Sequence, residues 1–195
     1  MLRKSLLGAA LAALALQAPA QDIKLPQTLT LTAYDTGSSG FNMAVAIGKA
    51  LKDKQGTDVR VLPAGNDVAR LAPLKGGRAQ VSAMGIGVYF GQEGVFEFAV
   101  KEWGPQALRL MLSSSACNAI SLGVARDTGV KELKDLKGKR IGIVVGSPAL
   151  NQNAYAILAF GNLTRNDVKL VEFSSYGAMW KGILKIGRAS CRERV

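Results

Sequence analysis

The feature that most restricts the fold is a regular alternation of strand-like and helix-like segments between residues 27 and 184. Residues 27–34 (QTLTLTAY) alternate apolar and polar side chains at period two, as a strand with one buried face does. Residues 35–40 (DTGSSG) are turn formers, and in 41–51 Met43, Ile47 and Leu51 return at helical spacing. Residues 58–63 read as a second strand, 66–74 as a short helix and 80–86 as a third strand. Apolar runs of strand length follow at 107–112 and 119–125. Asp127 is expected to cap a helix over 130–136. Then come a strand at 140–145, a helix opened by Ser147-Pro148 and running to about Phe160, a strand at 168–173 and a helix from Ser175. This order predicts an α/β fold with one mostly parallel sheet, or two.

The ends of the chain break the pattern. Arg3 and Lys4 precede an apolar run, Leu6 to Leu16, that is too short to span a bilayer comfortably. Ala18-Pro19-Ala20 then supplies a small-x-small cleavage pattern, so residues 1–20 are expected to be a secretory signal removed near Ala20. Residues 185–195 (KIGRASCRERV) carry no apolar periodicity. They resemble the conceptual translation of a common sequencing adapter, and an artefactual tail after Leu184 is expected.

These ends also distort the charge. The sequence has 25 Lys plus Arg against 14 Asp plus Glu, a net +11. Without the two bases of the signal and the net three positive charges of the tail, +6 remains on residues 21–184, from 19 basic and 13 acidic side chains. Those bases are scattered, with no block interleaved with aromatics, so a nucleic-acid partner is not expected. The complete lack of histidine excludes Ser-His-Asp and Cys-His catalytic units and His-ligated metals. Cys117 and Cys191 are too few for a thiolate zinc site, and with Cys191 in the tail no internal disulfide is expected. No cofactor and no metal are expected.

Ligands of open α/β sheets sit where strands run into helices. Thr36-Gly37-Ser38-Ser39-Gly40 and Gly146-Ser147-Pro148 place hydroxyls and glycine amides at two such junctions, and Gly65-Asn66-Asp67 stands at a third. Free N–H groups and the helix dipole there favour an anion. The plainer reading of each junction is helix capping by Ser, Thr or Asn. Asp35-Thr36-Gly37 and Asp127-Thr128-Gly129 also spell the aspartic-protease signature, in which two carboxylates share a proton. Helical patterns after both motifs argue against that alternative, since those proteases carry it in all-β lobes. A non-catalytic exported surface protein is a third reading. Residues 85–91 (GIGVYFG) approximate a dinucleotide loop, but the last glycine is one place late and no strong helix is expected after it.

A signal sequence, a first strand and a Thr-Gly-Ser-x-Gly turn entering a helix together resemble the TAXI family, the extracytoplasmic solute receptors of TRAP transporters. Residues 62–71 (LPAGNDVARL) look like that family's second strand and Asn-containing turn, and 74–81 (LKGGRAQV) like its step into the third strand. Residues 130–141 (VKELKDLKGKRI) are similar to the segment that opens the second domain of many periplasmic receptors. The resemblance implies a two-lobed periplasmic binding protein of type II, incomplete at its C-terminus, with lobes at 21–118 and 119–184. It implies a periplasmic receptor, not an enzyme, that closes on a small carboxylate of the amino acid or dicarboxylate class and passes it to TRAP permease subunits in the inner membrane. Thr36, Gly37, Ser38, Ser39, Phe41, Asn66, Met84, Gly85 and Ile86 would line one lobe, and Ser147, Pro148, Ala149 and Tyr176 the other. Ending at Leu184 would leave apolar sheet faces uncovered.

Overall fold

A computed structural model of the chain describes residues 24–113, 120–125, 128–186 and 190–193. The expected secretory signal, Asp127 and the expected lobe boundary at 118/119 lie outside the described residues. The first lobe is a parallel three-stranded sheet of order β2-β1-β3, built from β1 (Thr28–Ala33), β2 (Asp58–Pro63) and β3 (Val81–Ser82). Between the strands run α1 (Ser39–Gln55) and α2 (Asp67–Lys75), and α3 (Gly87–Glu93) follows β3. The second lobe pairs β5 (Arg140–Val144) with β6 (Lys169–Phe173) in parallel through α4 (Pro148–Phe160), and α5 (Tyr176–Ile186) follows. The alternation therefore resolves into two parallel sheets, and a separate, antiparallel pair of strands forms a third.

Burial explains why β1 is central. Leu31 and Ala33 point into a cluster with Ala44 of α1, against which Phe41, Val59 and Val61 pack. Thr32, on the opposite face, is also buried. Its hydroxyl lies 2.9 Å from the Arg70 carbonyl and 2.7 Å from the Ser82 hydroxyl. The TLTLTA alternation is thus buried on both faces at its C-terminal end, because a parallel sheet carries helices on both sides. The second lobe has its own core of Leu136, Ile141, Leu158, Leu163 and Val168.

Several segments differ from the sequence expectation. The expected strand at 107–112 has no ladder partner among the described residues, and Leu110, Met111 and Leu112 stand exposed. An apolar run without a neighbouring edge has nothing to pair with. Residues 130–136 form only a 3-10 turn, Leu133–Leu136, rather than an α-helix. Asp135 accepts the Lys131 and Glu132 N–H groups, which folds the segment into a tight capped turn too short to propagate a helix. The strand expected over 80–86 is only the two residues of β3, and α3 begins inside the glycine run that was expected to lead into no strong helix. At Gly87 a Cβ would sit 2.7 Å from the Asp67 carboxyl carbon, and at Gly91 one would lie 2.4 Å from Leu71 Cδ1. These glycines serve close packing and form no phosphate loop.

The helix expected to stop at Leu184 reaches Ile186, and β7 (Ser190–Glu193) lies antiparallel to β4 (Ile120–Gly123). An unpaired edge strand accepts any extended backbone through its main chain, whatever the side chains.

Candidate functional site

The C-terminal ends of β1 and β2 meet those of β5 and β6. Main-chain bonds stitch the junction, Val68 N–H donating to the Gly146 carbonyl at 3.0 Å and Tyr176 N–H to that of Gly65 at 3.2 Å. Small residues permit the approach. A Cβ on Gly65 would lie 2.3 Å from Ser175 Cβ, and one on Gly146 (φ +73°) would lie 3.2 Å from Asn66 Oδ1.

The helix starts singled out in the sequence are real, but they are satisfied in two ways. Ser38 caps α1 by accepting the Phe41 N–H at 3.2 Å, and Asn66 caps α2 by accepting that of Ala69 at 2.8 Å. In the second lobe Ser147 makes no side-chain cap to α4, although Pro148 fills the first helical position as expected. The acceptor there comes from the other lobe: Asp67 Oδ2 takes the Ala149 N–H at 2.9 Å. Asp35 Oδ2 takes the Gly177 N–H in the first turn of α5 at 2.8 Å, across 142 residues of sequence, beside a local cap in which Ser175 Oγ accepts the Ala178 N–H at 3.1 Å.

Behind Asp67 stands Arg70, only 2% exposed. Its guanidinium bonds the Asp67 carboxylate and the Ala64 carbonyl and lies 3.8 Å from the centre of the Tyr34 ring. Its Nε is the one buried side-chain polar atom without a partner among the described residues. Tyr34 in turn accepts the Gly85 N–H at 2.6 Å. A Tyr34–Arg70–Asp67 chain therefore links the first lobe to the N-terminus of α4.

Of the residues expected to line a site, Asn66, Ser147, Pro148, Ala149 and Tyr176 converge on this junction. Thr36 and Gly37 are exposed on the loop before α1, with Ser38 and Ser39 half-buried at the helix start. Phe41 packs into the first-lobe core, half-buried Met84 precedes Gly85, which adjoins Tyr34, and Ile86 is exposed. Tyr176 stacks edge-on against Trp180 at 5.9 Å. Sequence reasoning missed Arg70, Asp67 as an acceptor, and Asp35 as an acceptor for a distant helix. An Asp three residues before an Arg on a short helix was the available signal for the first pair. Asp35 enters an α/β turn and caps a helix, an arrangement unlike that of an aspartic-protease lobe. Among the described residues no three His, Cys, Asp or Glu side chains gather as a metal site, and no helix is long and apolar enough to cross a membrane.

Two sheets meeting at their C-terminal ends, with helix N-termini at the seam, define the architecture of periplasmic solute-binding proteins. The chain belongs to the NMT1/THI5-like family, whose model matches residues 42–183. The alkanesulfonate-binding protein SsuA of Xanthomonas axonopodis pv. citri, bound to MOPS, has the same fold at 19% identity and TM-score 0.57, over 86% of this chain and 55% of its own. An ancestral arginine-binding protein bound to arginine matches at 18% identity and TM-score 0.56, over 86% of this chain and 70% of its own. The periplasmic aliphatic sulphonate binding protein SsuA of Escherichia coli matches at 19% and 0.53, over 87% and 55%. The chain thus spans about half the length of the sulfonate-binding proteins. No curated protein matches its sequence.

Proposed function

We propose that the protein is an exported solute receptor that captures a small acid, a carboxylate of the amino acid or dicarboxylate class, at the seam of its two lobes. The observation that carries this reading is the pair of helix N-termini, α4 and α5, that face the first lobe and each hold a carboxylate. Backbone N–H groups at such ends suit an acid group by charge and geometry. Tyr176 and Trp180 in the first turns of α5 offer apolar surface to the rest of a small ligand. Thr36, Gly37, Ser38, Ser39, Phe41, Asn66, Met84, Gly85 and Ile86 would face Ser147, Pro148, Ala149 and Tyr176 as the lobes close, ligand contacts to both sides shifting an open–closed equilibrium.

A secretory signal over residues 1–20, cleaved near Ala20, would carry such a receptor to the periplasm. The TAXI resemblance makes a TRAP permease in the inner membrane its partner. Sulfonates share the chemistry of an oxyanion on N–H donors, and two of the similar folds are described as sulfonate-binding. Isothermal calorimetry against amino acids, dicarboxylates and alkanesulfonates tests the reading. Saturable heat with an acid and none with its amide supports it. No heat with any acid in the panel overturns it.

A further inference from the structure

We propose that the α4 N-terminus and Arg70 form a seat for one acid group, which the chain fills with its own Asp67 carboxylate and which the ligand's acid group takes in its place. The proposal rests on the receptor reading for its biological use, and it names the site's first contact. Two independent observations support it. The Ala149 N–H, in the first turn of a 13-residue helix, bonds a carboxylate carried by the opposite lobe rather than a local cap. Arg70, buried with its guanidinium carbon 3.8 Å from the centre of the Tyr34 ring, bonds that same carboxylate while its Nε has no acceptor. A buried guanidinium presents donors in a planar fork suited to a carboxylate or sulfonate, and here one donor is left over.

The consequence is competition. A ligand acid and Asp67 cannot share the Ala149 N–H, so the fraction of molecules in which Asp67 holds it lowers the apparent affinity for the ligand. Gly87 fits the same picture. Its missing side chain leaves room for the Asp67 carboxyl, since a Cβ there would be 2.7 Å from the carboxyl carbon. Asp67 is therefore a specificity-determining residue: it sets the strength an acid must reach before it is captured.

The experiment is chemical rescue. Acetate and methanesulfonate are titrated into the wild type, Asp67→Ala and the double variant Asp67→Ala/Arg70→Met, with chloride at matched ionic strength as control. Thermal midpoint and calorimetric binding are both read. Asp67→Ala is expected to bind the two acids roughly tenfold or more tighter than the wild type and to regain thermal midpoint as they are added. The double variant is expected to lose that gain. If Asp67→Ala folds only when acetate is present in refolding, that also supports the seat. Rescue no better than chloride gives, or equal binding by the double variant, overturns it. The amino acid and sulfonate panel on the wild type separates the two claims. Heat there with no rescue in Asp67→Ala removes the seat alone, whereas rescue without heat for any panel member leaves the seat and removes the receptor.

Discussion

The two lobes close their helix starts by different means. In the first lobe Ser38 and Asn66 cap α1 and α2 from within, so those N-termini are complete without help. In the second lobe α4 has no side-chain cap of its own and receives the Asp67 carboxylate across the seam, while α5 has both a local cap, Ser175 Oγ on the Ala178 N–H at 3.1 Å, and the Asp35 carboxylate on the Gly177 N–H. A self-capped helix has settled its orphan N–H groups locally, while one capped from another sheet exposes them whenever the sheets part. On the proposed receptor reading, the start of α4 is therefore the place where an incoming acid would meet unsatisfied donors. The first lobe contributes the charges that compete with it.

The sharpest way to break this contrast is at Asp67. Replacing it with Ala removes the α4 acceptor and leaves the Arg70 charge buried beside Tyr34. Stripping one partner from a buried ion pair costs about 3–5 kcal/mol, so a drop of that size in urea-denaturation stability is expected. A change below about 1 kcal/mol would mean that Arg70 finds water easily and that the seam is looser than its bonds imply. Within the second lobe, Asn151 grips the end of β5: its amide accepts the Val144 N–H at 3.0 Å and donates to the Val144 carbonyl at 2.9 Å, both buried. Asn151→Ala leaves the buried Val144 N–H unpaired, while the Val144 carbonyl keeps the Ser147 N–H, so a loss of about 1–3 kcal/mol is expected. If the second lobe unfolds as its own unit, amide exchange in this variant should rise over β5 and β6 and stay unchanged over β1 and β2.

Caps give a smaller and more direct comparison. Asn66→Ala and Ser38→Ala should each cost about 1 kcal/mol, since each deletes a side-chain acceptor for a helix N–H. Ser147→Ala deletes none, and its cost should be clearly smaller. Equal losses at all three positions would erase the difference between self-capped and cross-capped helices.

How far the sequence revealed this depends on the distance over which each feature is determined. Helix starts at Ser38, Asn66 and Ser147 were legible because turn residues, hydroxyls and a proline at the first helical position act within a few residues. Parallel strands were legible at β1, β2, β5 and β6 for the same reason. The 107–112 run was not, because a strand needs a neighbour, and no local pattern states whether one exists. Nor could the sequence show who caps α4 and α5. Asp67 reaches Ala149 over 82 residues and Asp35 reaches Gly177 over 142, partnerships that the fold alone creates. Asp35 illustrates the hazard: as a motif letter it suggested proteolysis, and in place it serves a helix.

Acid offers the gentlest probe of the contrast, because two second-lobe turns rest on exposed carboxylates. Asp135 is held below the ordinary carboxylate value of 3.8 by the Lys131 and Glu132 N–H groups, and Asp167 by the N–H and hydroxyl of Thr164. A carboxyl whose value is lower folded than unfolded binds fewer protons in the native state. Its stabilisation is complete above the ordinary value and fades as pH falls through the lowered one. Urea midpoints should therefore hold steady near neutrality and decline as the pH drops below the ordinary carboxylate range. The double variant Asp135→Asn/Asp167→Asn should start lower and decline less steeply. Both groups face solvent, so the change in slope should be the smallest of these effects. Exchange measured along the acid series should show where the weakening falls. Loosening that begins around residues 131–136 and 164–168 while α1 and α2 keep their protection would mark the second lobe's turns as the acid-sensitive side of the molecule. Loosening that starts instead at Ser38 or Asn66 would place the sensitivity in the self-capped lobe and reverse the comparison.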